Sequence, residues 1–262
     1  MSLPTIHLLG MKVTPGELPE IHREISRLIH RKKPGIILSG NVYSLNLCRQ
    51  LPWLAEFYER ADIVYPDGAG ISWGARFLNL GRFRRTTMAE WIWPASTYLA
   101  EQGHSLYLLG NPPGAAARAA AKLQAYEPRI RILGSHHGFF AKTGPENEAI
   151  IEAINRLAPD VLMVGLGMPV EQRWILDNYQ RLKARVFWEV GAAFEVWAGV
   201  IPACPPWLGD LGLNWLFRLV LEPRRLARRY LMGNTAFLLR VLKEKLAPRE
   251  EKWEPPAPVS TP

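Results

Sequence analysis

Cysteine is scarce in this chain: Cys48 and Cys204 are the only two among 262 residues. They stand far apart, with no Cys-x-x-Cys or Cys/His metal spacing, so neither a disulfide framework nor a zinc site is indicated and a reducing cytosol is the simplest setting. Long apolar runs are missing as well. The opening MSLPTIHLLGMKV has no basic stretch ahead of a long apolar core, and the greasiest later stretch, VFWEVGAAFEVWAGVIPACPPWL, is interrupted by Glu189, Glu195 and three prolines. Neither a signal peptide nor a transmembrane helix is expected, so any membrane contact must be peripheral. No Gly-x-Gly-x-x-Gly and no Gly-Lys-Ser/Thr occurs, which leaves a nicotinamide dinucleotide or a nucleoside triphosphatase poorly supported. No Asp-x-Asp stands near a strand end either, which removes the usual way of holding a divalent ion on a nucleotide diphosphate.

What the chain does have is a confined basic excess. Between Trp215 and Arg249 it carries nine Arg or Lys against Glu222 and Glu244, which is seven of its eight net positive charges. Such confinement marks a local electrostatic device rather than a general solubility charge. The cations alternate with Leu, Val, Phe and Met, so a phospholipid surface or a lipid bearing a diphosphate fits the segment better than nucleic acid. The same residues also suit a terminal helix that packs its apolar stripe on the core and leaves its cations in water. The length allows one substantial core with an appendage. The expected division is an α/β catalytic unit over 1–203, a basic amphipathic appendage over 204–247, and a disordered tail rich in Pro and charge over 248–262.

Periodicity sets the fold class. GIILSGN, ADIVYPDG, SLYLLGN, RIRILGSHHG, DVLMVGLG and RVFWEVG read as strands ending in Gly or a small polar residue. Amphipathic helices are expected over 19–32, 44–59, 89–102, 114–126, 146–157 and 170–182, with a shorter one after Gly70. Continuous apolar strands separated by such helices imply an α/β, Rossmann-like fold: a mostly parallel sheet with helices on both faces. Ligands then bind beyond the carboxyl ends of the strands. That rule gathers Ser39, Asn41, Asp67, Gly110, Ser135 to Gly138, Gly165 to Gly167 and Gly191 on one rim.

Several rim motifs carry two readings. Gly110 and Gly114 in LLGNPPGAAARAA either cradle a phosphate at a helix N-terminus or simply turn the chain. Gly165 and Gly167 permit close backbone approach, and Glu171 falls in the first turn of the helix after Pro169, where it either complements the dipole or meets a sugar hydroxyl. Asp67 ends an apolar strand beside Gly68 and is the choice for a base, although Asp-Gly is also ordinary turn chemistry. His136 and His137 look like metal ligands, but neighbouring strand residues point to opposite faces and no third ligand is spaced to join them.

In this order the motifs resemble the WecG/TagA/CpsF family of bacterial glycosyltransferases. The resemblance runs from about Gly35 to Phe237, through Ser39-Gly40-Asn41, ADIVYPDGAG, LLGNPPGAAARAA, GSHHGFF, PDVLMVGLGMPVEQRWI, GAAFEVWAG and GLNWLFRLVLEPRRLARRYL. It implies a metal-independent, inverting enzyme without cofactor that moves a hexose, typically N-acetylmannosamine, from a UDP-sugar to a sugar on a polyprenyl diphosphate. The setting it implies is the inner face of the cytoplasmic membrane. By position, Asp67 matches the proposed base, Asn41 the active-site Asn and Arg85 the active-site Arg, while Ser39 stands where the family has Thr. Gly110, Gly138, Phe139, Gly165, Gly167, Glu171 and Glu195 then fall at the donor, and Arg224, Arg225 and Arg228 at the diphosphate.

Departures from the family pattern bear on the donor. Glu171 and Gln172 replace a Gln-Glu pair, Met88-Ala89-Glu90 replace Gly-Ser-Asp, Glu195 replaces Asp, Ala203 replaces Arg and Asn214 replaces Glu. UDP-glucose or another hexose is therefore a live alternative donor. The expected partners are a UDP-sugar, a lipid-linked acceptor and an anionic membrane surface, with no nucleic acid, and a homo-oligomer is left open. The competing readings are a dehydrogenase on a similar sheet and a catalytically silent lipid-binding module.

Overall fold

A computed structural model describes residues 3–83 and 85–247, so the tail expected over 248–262 lies outside the described residues. The chain opens with a small antiparallel hairpin, β1 (Ile6–Leu8) and β2 (Met11–Val13), that the sequence reading missed. It continues through α1 (Leu18–Ile29), β3 (Gly35–Gly40), α2 (Val42–Cys48), α3 (Pro52–Arg60), β4 (Ile63–Pro66), α4 (Ala69–Phe77), α5 (Met88–Glu101) and β5 (Ser105–Gly110). Then come α6 (Ala115–Tyr126), β6 (Arg131–His136), α7 (Pro145–Leu157), β7 (Val161–Gly165), α8 (Val170–Asn178), β8 (Val186–Glu189) and α9 (Ala193–Trp197). The last stretch holds α10 (Pro206–Asp210), α11 (Asn214–Leu221), α12 (Pro223–Ala227), a π-helical turn (Arg228–Met232) and α13 (Gly233–Leu246).

All six expected strands form, and they build one sheet in the order β4-β3-β8-β7-β5-β6 with every neighbouring pair parallel. Because successive strand residues point to opposite faces, Ile36 and Leu38 enter one core and Ile37 the other. The first core lies under α2, α3, α7, α8 and α13, the second under α1, α5, α6 and α9. Burial on both faces explains why the strands other than β6 read as largely apolar runs. The single helix expected over 44–59 is in fact two. Asn41 caps α2 by accepting from the Ser44 amide at 2.9 Å, while Leu51 and Pro52 start α3 afresh.

The basic segment packs on the α/β unit through α13, which crosses α2 and α4. Phe237 and Val241 are buried in the first core. Gly74 on α4 makes this possible, since a Cβ there would lie 2.7 Å from the Phe237 ring. Asn46 on α2 donates to the Gly233 carbonyl at 3.0 Å and accepts from Arg240. The inner stripe of the segment thus serves the core, as the second reading has it, while Leu238, Leu239, Leu242 and Leu246 remain exposed on the outer one. Phe237→Ala should therefore lower stability by about 3–4 kcal/mol, read as a fall in the urea midpoint.

The arginines that follow Pro223 meet different surroundings. The π-helical turn shifts the helical register between Ala227 and Gly233. Arg224 and Arg228 remain exposed, Arg225 pairs with Glu222 at 2.6 Å, and Arg229 turns inward over the Tyr43 ring at 4.0 Å.

Candidate active site

The six parallel strands bring the expected rim residues to one end of the sheet. Asp67 leaves β4 with its amide donating to the Gly40 carbonyl at 2.8 Å, and the chain is held there again by an isolated bridge to Thr86. Asn41 donates from Nδ2 to Asp67 Oδ2 at 3.3 Å while its Oδ1 caps α2. Both ends of that amide are committed, so it fixes the carboxylate to a helix start. Burial pushes the Asp67 pKa up to about 6, against the Asn41 hydrogen bond and the positive charges of Arg229 and Arg85, which lower it. A carboxylate with this pKa is ionised at neutral pH yet basic enough to take a proton.

The two arginines differ in availability. Arg85 is engaged by Glu90 at 3.2 Å and faces Asp210 at 3.8 Å, so two carboxylates already share its charge. Arg229 has its Nε buried without a hydrogen-bond partner among the described residues. In sequence it is one of the nine Arg or Lys between Trp215 and Arg249, and its inward turn over Tyr43 sets it apart from the exposed Arg224 and Arg228.

Beneath the rim lies a buried acid pair. Glu189, at the end of β8, accepts from Ser39 Oγ at 2.7 Å and from the Ser39 amide at 3.3 Å. The Gln172 amide lies near enough to favour the charged form of Glu189, although neither of its amide atoms reaches full hydrogen-bond geometry. Glu171 accepts from the Leu166 and Gly167 amides, each at 3.1 Å. Burial first, and then repulsion from Glu189, raise the Glu171 pKa well above the ordinary carboxylate range. Glu189 is pushed up to about 7, chiefly by burial. Two such carboxyls resist ionising together.

The sign of the Glu189 effect on stability follows from its raised pKa. The folded state favours the protonated carboxyl, so the contribution is harmless below about pH 4.5, erodes stability as pH rises, and is fully unfavourable above about 7. Glu189→Gln keeps an acceptor for Ser39 and should stabilise the protein by up to about 3 kcal/mol at pH 8. Little gain should remain at pH 4.5. Unfolding curves at the two pH values check both halves.

The glycines of the rim serve close packing between strand ends. A Cβ on Gly110 would stand 2.2 Å from the Gly165 carbonyl oxygen. Asn111, which the sequence reading passed over, stitches this region together. Its Nδ2 donates to the Gly165 and Gly191 carbonyls at 2.6 and 2.8 Å, its Oδ1 accepts from the Glu195 amide at 3.2 Å, and its own carbonyl accepts from Gly138 at 2.7 Å. The positive φ of Asn111, 58°, is a conformation asparagine tolerates. The Gly138, Leu166 and Gly167 amides are therefore spent within the chain.

The remaining candidates spread outward. Phe139 is largely exposed beside Gly138. Glu195, half-buried at the start of α9, is raised first by burial and then by Glu222, and Arg218 and Arg225 oppose the rise. His136 and His137 stand with their rings 4.3 Å apart, because His137 lies beyond the end of β6 and escapes strand alternation. Among the described residues no group of three His, Cys, Asp or Glu could hold a metal ion. No helix among them is long and apolar enough to cross a membrane.

The site thus sets a basic carboxylate at one strand end of a parallel sheet beside the arginines of the C-terminal segment. The chain belongs to the WecG/TagA/CpsF family of glycosyl transferases, whose family model matches residues 6–251. It is also similar to the N-acetylglucosaminyldiphosphoundecaprenol N-acetyl-beta-D-mannosaminyltransferase of Staphylococcus aureus (strain MRSA252), at 26% identity over 212 residues that make up 80% of each chain.

Proposed function

We propose that this glycosyltransferase moves N-acetylmannosamine or a related hexose from a UDP-sugar to a sugar carried on a polyprenyl diphosphate, with inversion and without a metal ion. The observation that carries the reading is Asp67, held by Asn41 beside the positive charges of Arg229 and Arg85. Asp67 takes the proton of the acceptor hydroxyl as that oxygen attacks the anomeric carbon. The bond to the UDP phosphate breaks on the opposite face, which inverts the centre. Charge then gathers on the departing diphosphate, and Arg229, with Arg85 and the exposed Arg224 and Arg228, neutralises it. The acceptor class follows from the relative, whose printed substrate is a diphosphoundecaprenol sugar.

Membrane contact is peripheral in this reading, on the inner face of the cytoplasmic membrane, through the exposed stripe of α13 and the cations of the segment over 204–247. The donor is the finer question. Glu171 grips the turn at Leu166 and Gly167, so its replacement of the family's Gln acts on the donor through the shape and charge of that turn. A panel of UDP-sugars offered with a polyprenyl-diphosphate acceptor, in EDTA, tests the whole reading. Transfer from one UDP-sugar that persists in EDTA is expected, and Glu171→Gln should shift the ranking toward UDP-N-acetylmannosamine. Activity that EDTA abolishes and Mg²⁺ restores would refute metal independence.

A further inference from the structure

Trp73 and Phe77 on α4 are 46% and 38% exposed and stack on each other with centroids 5.3 Å apart. Nothing in the proposed chemistry uses them. They lie one helical turn apart on the element that begins directly after Asp67 and Gly68. The contact of Phe237 with Gly74 fixes α13 alongside them, and Lys245 Nζ stands 5.6 Å over the Phe77 ring. Leu238 and Leu242 share that flank of α13 with Lys245 and are 48% and 47% exposed. The aromatic pair and the leucines are therefore neighbours on one rigid surface, although they come from distant parts of the chain.

We propose that α4 supplies half of the membrane-docking face: Trp73 and Phe77 enter the interface of an anionic bilayer together with Leu238 and Leu242 of α13. The proposal rests on the peripheral-membrane reading above and locates it on the catalytic unit as well as on the basic segment. Charge complementarity selects the occupant. Exposed Arg76 on α4 and exposed Lys243 and Lys245 on α13 flank the apolar residues, and Glu244 is the one acid on either helix. Aromatic rings beside lysines suit the headgroup level of a bilayer, where an apolar body and a cationic fringe are both satisfied.

The placement has a geometric consequence. At 1.5 Å per residue, Trp73 lies roughly 9 Å and Phe77 roughly 15 Å along the chain axis from Asp67. One helix thus joins the base to the bilayer contact, and docking sets how far a lipid-borne hydroxyl must rise to meet the carboxylate.

The test compares the full chain with Trp73→Ala/Phe77→Ala and with Leu238→Ser/Leu242→Ser. Each is sedimented with vesicles of phosphatidylglycerol and phosphatidylcholine, and each is assayed with a polyprenyl-linked acceptor in vesicles and with a short-chain, water-soluble analogue. The aromatic variant should lose roughly tenfold in vesicle partitioning and in transfer to the vesicle acceptor, with transfer to the soluble analogue and the melting temperature unchanged. Partitioning that stays intact in the aromatic variant while the leucine variant loses it would overturn the role of α4 and leave the membrane reading standing. Failure of the unaltered chain to bind vesicles would sink the membrane reading itself. Loss of a dimer in sedimentation velocity, with vesicle binding unchanged, would assign the face to a second copy and overturn the proposal.

Discussion

Asp67→Asn is expected to lower turnover by roughly a hundred- to ten-thousandfold while UDP affinity changes little, because an amide keeps the shape of the carboxyl and cannot accept the proton. The pH profile supplies a second signature. Asp67 must be ionised to act, so kcat/KM should fall as pH drops through about 6, the pKa to which burial raises it. Removing the Asn41 amide takes away a hydrogen bond to the charged form, so in Asn41→Ala that acid limb should move to higher pH. Near-normal turnover in Asp67→Asn would end the assignment.

Arg229→Gln should have the next largest effect, a loss of about a hundred- to a thousandfold in kcat, since one charged donor aimed at a developing anion is worth that much in a water-poor site. Arg229 also holds the Asp67 pKa down, so the same variant should shift the acid limb upward. Arg229→Lys, which keeps the charge and loses the planar fork, should restore the limb and only part of the rate. Arg85→Gln is expected to do less, because Glu90 and Asp210 already share its charge. Steady-state kinetics of the three variants with a soluble acceptor separate the roles. Equal losses for Arg85→Gln and Arg229→Gln would show that pairing does not decide availability.

Apart from β6, whose residues are exposed or half-buried, the strands were legible because both faces of the sheet are buried, which leaves a largely apolar run for each. Asp67, Asn41 and Ser39 were legible for a related reason: each stands where such a run stops. Other features left no such trace. The hairpin of β1 and β2 uses three-residue strands, too short for a period of two to register. Asn111 works through contacts to Gly165, Gly191 and Glu195 that only the folded sheet brings near. Glu189 was visible as an interruption in an apolar stretch, and its pairing with Ser39 came from the adjacency of β3 and β8. Arg229 reaches the Tyr43 ring through packing of the C-terminal segment on α2, which a run of cations does not reveal.

The crossing of α13 over α4 also orders events in time. The base belongs to the first third of the chain, whereas Arg229 and the Phe237 that anchors its segment on Gly74 belong to the last. A ribosome still holding the C-terminal segment would present a formed sheet and a carboxylate with no Arg229 charge beside it. On the proposed chemistry, transfer would then wait until that segment has packed on Gly74 and brought the Arg229 charge to the carboxylate.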